Sequence, residues 1–171
     1  IYFNLDCEFT ERKCLPYKRG KLSTFTAGVD SFYTLLTNLD KIDTLLYCIN
    51  YDINESKEKL LKAQLTTVNE VAQKLGKKVI ICKTNQRNIL EFSEIGYLKN
   101  VRDEYNNDLW GYFLFGPCLF SNAYNLLLDY NTIFIPSSHP KNSKYLWGST
   151  FHIDYLYSSE LLNIEHNGDC T

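Results

Sequence analysis

An apolar run, Leu22-Ser23-Thr24-Phe25, gives way to the small-residue turn Thr26-Ala27-Gly28-Val29-Asp30-Ser31, and a helical pattern starts with no spacer. Phe32, Leu35, Leu36 and Leu39 then recur at the spacing of one helix face. Few architectures admit so short a passage from strand to helix. The helix must fold back over the sheet, and its first backbone N–H groups, which lack partners inside the helix, point into the turn. Such a turn is a ready anion site. Ala27 and Gly28 leave room for a phosphate to approach the backbone. The plainer alternative is a loop in which Asp30 or Ser31 is an ordinary N-cap.

The rest of the chain repeats the alternation. A first strand is expected at about Leu22–Phe25 and a first helix at about Asp30–Leu39. Thr44–Asn50 is a nearly continuous apolar run, which suits a parallel strand covered on both faces. Leu61, Leu65, Val68, Ala72 and Leu75 line one side of a helix whose other side carries Lys57, Lys59, Lys62, Glu70 and Lys74. Asn54 or Ser56 is its expected cap and Gly76 its end. Lys78–Lys83 is a third strand, with short helical pieces over 88–99 and a buried helix over 109–129. Thr132–Pro136 is a fourth strand, 137–160 a long polar and aromatic connection, and Leu161–Glu165 a fifth strand. The pattern predicts an α/β fold, a doubly wound parallel five-stranded sheet in the order 3-2-1-4-5 with strand one central. Residues 1–19 read as an irregular N-terminal segment and 20–171 as one domain; 171 residues suffice for a sizeable core.

Charge narrows the function classes. Eighteen Lys and Arg against 20 Asp and Glu give a net charge of −2, with no basic block to recruit nucleic acid. The longest aromatic and apolar run, Leu109 to Phe120, is interrupted by Gly116-Pro117 and is too short to span a membrane. Six cysteines form no CxxC pair; Cys48 and Cys82 fall in strands, where a free thiol acts as a small hydrophobe. No signal peptide is seen, and a cytoplasmic setting is expected. The absence of methionine and the strand-like start (Ile1, Phe3, Leu5) read as a piece of a longer protein.

In an open α/β sheet, ligands sit beyond the carboxyl ends of the strands. Four polar loops are expected there: 26–31, Asn50-Tyr51-Asp52, Thr84-Asn85-Gln86-Arg87 and Ser137-Ser138-His139. Arg87 is either an oxyanion ligand, through its planar fork, or an ordinary surface arginine. His139 is a base or substrate contact, and Trp147 either stacks on a planar substrate or covers the core. His139, His152 and His166 are separated by 12 and 13 residues, which is no metal-binding spacing. His152 and His166 read as structural or exposed. Asp154 and Glu160 are available acids that no pattern sets beside a nucleophile.

The turn 26–31 resembles the pyrophosphate loop (PP-loop) of the N-type ATP pyrophosphatases, usually Ser-Gly-Gly-Val-Asp-Ser. That family includes GMP synthetase, argininosuccinate synthetase, asparagine synthetase and 7-cyano-7-deazaguanine synthase. Four of six positions agree; Thr26 replaces the Ser and Ala27 the first Gly, and a residue with a Cβ is expected to forbid the strained backbone a Gly permits there. Segment 116–154, with Gly116-Pro117, Ser121-Asn122-Ala123 and TIFIPSSHP, resembles the substrate half of 7-cyano-7-deazaguanine synthase-like proteins, without their four-cysteine zinc cluster. Trp147-Gly148-Ser149 is similar to a stretch in a less defined group of PP-loop proteins.

The resemblance implies a Rossmann-like domain of the adenine nucleotide alpha hydrolase-like superfamily and an ATP-dependent adenylating enzyme. ATP and Mg2+ would be held by Thr26, Ala27, Gly28, Val29, Asp30, Ser31, Asn50, Tyr51, Ser137 and Ser138. Asp30 would meet the metal, and Asp30, Ser31, Arg87 and His139 would serve catalysis. The substrate would be a small molecule or peptide, activated for nitrogen or sulfur transfer, and a second copy of the chain is a candidate partner. The alternative is a nucleotide-binding module of the same superfamily that performs no chemistry.

Overall fold

A computed structural model describes residues 19–91, 100, 108–142 and 147–168. The N-terminal segment with Cys7 and Cys14, the helical pieces over 92–99, residues 143–146 of the long connection, and Cys170 lie outside the described residues. The chain forms a five-stranded, all-parallel sheet in the order β3-β2-β1-β4-β5, a Rossmann-like α/β architecture flanked by helices. The strands are β1 (Gly20–Thr24), β2 (Thr44–Ile49), β3 (Lys78–Lys83), β4 (Tyr130–Pro136) and β5 (Asn163–Asn167). The helices are α1 (Val29–Thr37), α2 (Glu58–Lys74), α3 (Gln86–Glu91) and α4 (Phe115–Tyr124), with a π-helical turn at Trp110–Leu114 and a 3-10 turn at Asp154–Tyr157.

Strand β2 explains the layering. All six of its residues are buried, and successive side chains go to opposite faces. Leu45, Tyr47 and Ile49 join Phe25, Leu35, Val68, Ala72 and Phe134 under α1 and α2. Leu46 and Cys48 join Leu22, Trp110, Leu119, Phe120, Ile133 and Ile135 under α4 and the π turn. A strand covered on both sides has no place for alternating polarity, hence its continuous apolar sequence. Leu45 and Leu46 are each at most 1 % exposed, on opposite faces, so truncating either to Ala removes about 2–5 kcal/mol. At the amino edge of the sheet, Arg19 Nη1 donates to the carbonyls of Leu127 (2.9 Å) and Leu161 (2.8 Å), tying three segments together.

Several local expectations need correction. Helix α2 has Lys57 at its N-cap with no side-chain cap, in place of Asn54 or Ser56; the Asn54 side chain accepts the Ser56 N–H instead. Gly76, at φ +64, does end the helix region. The single helix expected over 109–129 is a π turn followed by α4 and a series of turns. Pro117 supplies the reason. It sits in the first turn of α4, where it needs no partner, but it cannot donate to the carbonyl four residues back, so the preceding turn widens. Gly116 therefore lies inside a helix, where a Cβ would come within 2.0 Å of the Gly148 carbonyl; the loop around Trp147 docks there. Strand β5 begins two residues later than expected. Leu162 is buried before the strand starts, and pairing with β4 carries the strand through His166 to Asn167.

Candidate functional site

The carboxyl ends of β1, β2 and β4 open into one cleft of about 790 Å³. Its lining includes Thr26, Gly28, Asp30 and Ser31 after β1, Tyr51 and Asp52 after β2, and Ser137, Ser138 and His139 after β4. Trp147, Ser149 and Thr150 from the long connection, and His166 on β5, close the far side. Tyr112, Phe113 and Phe115 give that side an aromatic wall.

The loop after β1 leads into the first turn of α1. Gly28 is the N-cap of α1, and no side chain caps the helix. The alternative in which Asp30 or Ser31 caps it is thus overturned. Ser31 Oγ donates back to the Gly28 carbonyl (2.8 Å), and Asp30 turns toward β4, where its Oδ2 accepts a hydrogen bond from Ser138 Oγ (2.9 Å). Gly28 and Asp30 are exposed and Val29 is 85 % exposed, so the first turn of α1 is open. Ala27 has φ +56. The expectation that a Cβ forbids this backbone is therefore wrong: the alanine adopts the left-handed conformation, at a cost of about 1–2 kcal/mol. The surroundings enforce it. Phe25, fully buried, anchors one side, and Gln64 of α2 donates its amide to the Thr26 carbonyl. Strain of this kind gathers at functional loops.

The loops after β2 and β3 are different. Asn50, also left-handed at φ +72, spends its amide on the Thr84 carbonyl (2.9 Å) and the Glu55 N–H (2.8 Å). Neither Asn50 nor Arg87 lines the cleft. The Arg87 guanidinium donates to the Tyr51 carbonyl and stacks 5.4 Å over the Trp110 ring. It is neither a surface arginine nor an open oxyanion fork, but a brace between two loops. The Tyr51 hydroxyl donates to Gln86 Oε1 (2.9 Å) and accepts from Asn122 Nδ2 (2.7 Å), while Gln86 Nε2 donates to Ser121 Oγ (2.9 Å). Burial pushes the Tyr51 phenol above its ordinary range, so it stays a neutral donor. Asp52 reaches the cleft; desolvation raises its carboxyl, and the Arg87 guanidinium opposes that rise.

Beyond β4, Ser137 Oγ donates to the His139 carbonyl (2.6 Å), and the Ser138–Asp30 contact bridges to α1. The expectation that 137–139 and Trp147 share a cleft with 26–31 is met. Trp147 lines the cleft while packing against Phe115 (5.8 Å between centroids), so it serves as cover and wall together.

Sequence reasoning missed one arrangement. Asp154 is 0 % exposed, and its Oδ2 receives Ser149 Oγ (2.8 Å) and His166 Nδ1 (2.6 Å), while its Oδ1 receives the Thr150 N–H (3.0 Å). Asp154 is thus far from idle, and His166, with a side chain 7 % exposed, reaches the cleft. No spacing rule links positions 154 and 166; the packing of the 3-10 turn against β5 joins them. His152 is exposed, its Nε2 against the Lys141 carbonyl (2.9 Å), as expected of a surface histidine. Cys48 and Cys82 face each other in register on neighbouring strands, and the neighbouring Cys48 thiol holds the Cys82 thiol below its ordinary range. Among the described residues, no cluster of three or more His, Cys, Asp or Glu is placed to hold a metal, and no helix is long and apolar enough to cross a membrane.

No protein-family model, no curated protein and no solved structure matches this chain.

Proposed function

We propose that the chain is an ATP-dependent adenylating enzyme of the PP-loop type, acting on a small-molecule or peptide substrate. The observation that carries this reading is the uncapped first turn of α1, opening into a cleft large enough for a nucleotide and a second ligand. An open helix N-terminus with a glycine at its cap favours a phosphate group through unpaired N–H donors and the helix dipole. Gly28 fits that use. A Cβ there would lie 3.5 Å from Thr26 Oγ1, so the protein itself leaves room for a larger side chain, and what glycine preserves is access from the cleft.

In this reading the backbone of 27–31 and the Thr26 hydroxyl hold the departing pyrophosphate, and stabilise charge as it builds there. Ser31 acts through Gly28, whose carbonyl it holds. Asp30 and Ser138 join the two walls on either side of the phosphate site. Asp30 would be the carboxylate available to a magnesium ion, which would supply neutralisation of phosphate charge. Ser137 and His139 border the substrate side. Asn50 and Arg87 support the cleft from behind it.

Calorimetric titration with ATP and Mg2+ tests the reading. Saturable binding that Gly28→Val abolishes is expected; equal affinity in the two proteins refutes the loop assignment. Pyrophosphate release on adding candidate carboxylate or amide substrates separates an enzyme from the alternative, a module that binds nucleotide without chemistry.

A further inference from the structure

We infer that Cys48 and Cys82 form a redox-modification site, a dithiol within the sheet that a hydroperoxide closes to a reversible disulfide. The inference does not rest on the adenylation reading. It begins with register. Cys48 on β2 and Cys82 on β3 are Cα partners in a parallel ladder. Both side chains belong to the cluster under α4, so they share one face of the sheet. Neighbouring strands lie about 4.8 Å apart, inside the span of about 4.4–6.8 Å between Cα atoms that a disulfide bridges. The two thiols are reduced and interact directly, so the bond needs no rearrangement of the sheet. Two residues back on the same face, Leu46 is paired with Ile80, the aliphatic pair that packing alone calls for. At 48 and 82 both positions carry sulfur instead.

The two sulfurs are unequal. Cys48 is 8 % exposed, whereas Cys82, on the edge strand, is half-buried. The Cys82 thiol and burial push the Cys48 thiol up, and Cys48 holds the Cys82 thiol below its ordinary range. Cys82 is therefore the nucleophile and Cys48 the resolving thiol. With hydrogen peroxide, the Cys82 thiolate attacks one oxygen, the O–O bond breaks, and the departing hydroxide takes up the proton that Cys82 gave up. Cys82 is then a sulfenic acid. The Cys48 sulfur attacks it, the S–O bond breaks, and hydroxide leaves as water with the Cys48 proton. Two electrons have passed from the thiols to the peroxide, and a small-molecule thiol returns them by exchange. Cys48 also lines the cleft, as do Leu46 and Tyr51, so the disulfide forms in the cleft wall. Cys118, 6 % exposed on α4 with its thiol raised by burial, is the internal control.

The test uses the reduced native protein, hydrogen peroxide, and trypsin digestion without reduction. Cleavage after Lys41, Lys57, Lys78 and Lys83 puts the two cysteines on peptides 42–57 and 79–83. Mass spectrometry should find these peptides joined, lighter than their sum by two hydrogen atoms, and dithiothreitol should separate them. Before oxidation, iodoacetamide should alkylate Cys82 at least about tenfold faster than Cys118. In Cys48→Ala, dimedone should trap Cys82 as the sulfenic acid that no neighbour resolves. Three results in the native protein overturn the inference without any variant. They are Cys48 and Cys82 remaining thiols after peroxide, either one joined in preference to a different cysteine, and Cys82 carried on to sulfinic acid with no joined peptide. Equal alkylation of Cys82 and Cys118 overturns it as well.

Discussion

The loop after β1 and the loops after β2 and β3 end at the same edge of one sheet, and all are polar, yet they spend their hydrogen-bonding groups in opposite ways. After β2 and β3, Asn50, Tyr51, Gln86, Arg87 and Asn122 satisfy one another and neighbouring carbonyls. After β1, the first turn of α1 has no side-chain cap, its N-cap is a glycine, and the residue before it is held left-handed. Polarity at a strand end therefore does not identify a ligand site. What distinguishes the β1 loop is that its uncapped helix start is a glycine whose turn opens into the cleft, whereas Lys57, at the start of the equally uncapped α2, does not line it.

The strongest way to break this contrast is Gly28→Val. The cap position is extended (φ −81, ψ 165) and tolerates a Cβ, so the variant should fold with a melting temperature close to native. Its ATP·Mg2+ affinity should fall at least a hundredfold, about 2.7 kcal/mol, measured by calorimetry. Native-like affinity would make the β1 loop equivalent to the others.

Asn122→Ala probes the other side of the contrast. It strips the Tyr51 hydroxyl of a buried donor, which should cost about 1–3 kcal/mol in urea unfolding. ATP affinity should change less than threefold, because the network supports the cleft and does not include the 26–31 loop.

Much of this contrast was legible in the sequence, and the limit has a physical shape. The strand order and the site edge follow from the periodicity of β1 through β5 and from the turn at 26–31, which are local signals. The roles of Arg87 and Asn50 were not legible, because whether an arginine meets solvent, ligand or a carbonyl depends on Trp110 and Tyr51, which arrive from elsewhere in the chain. The Asp154–His166 pair is invisible for the same reason: it is made where the 3-10 turn packs against β5, and the sequence pattern puts β5 two residues early. The left-handed Ala27 escaped because residue type alone argues against it, whereas buried Phe25 and the Gln64 amide enforce it.

Ala27→Gly sharpens the contrast by a smaller amount. Relief of about 1–2 kcal/mol of left-handed strain, less about 0.5–1 kcal/mol for the added freedom of glycine in the unfolded chain, leaves a net gain of up to about 1.5 kcal/mol in thermal or denaturant stability. A loss of stability would mean that Ala27 is not strained. Ser138→Ala should have the least effect on folding, under about 1 kcal/mol, since its bond to Asp30 is exposed. Its signature is a change in magnesium dependence of nucleotide binding, because Asp30 is released from β4.

The most direct measurement is a two-dimensional 1H–15N titration of the backbone amides with ATP·Mg2+. Saturable shifts should concentrate at residues 27–31 and at 137–139, with residues 50 and 84–87 nearly still. Shifts centred on 50–52 and 84–87 with residues 27–31 unmoved would contradict the account, as would the absence of any saturable shift.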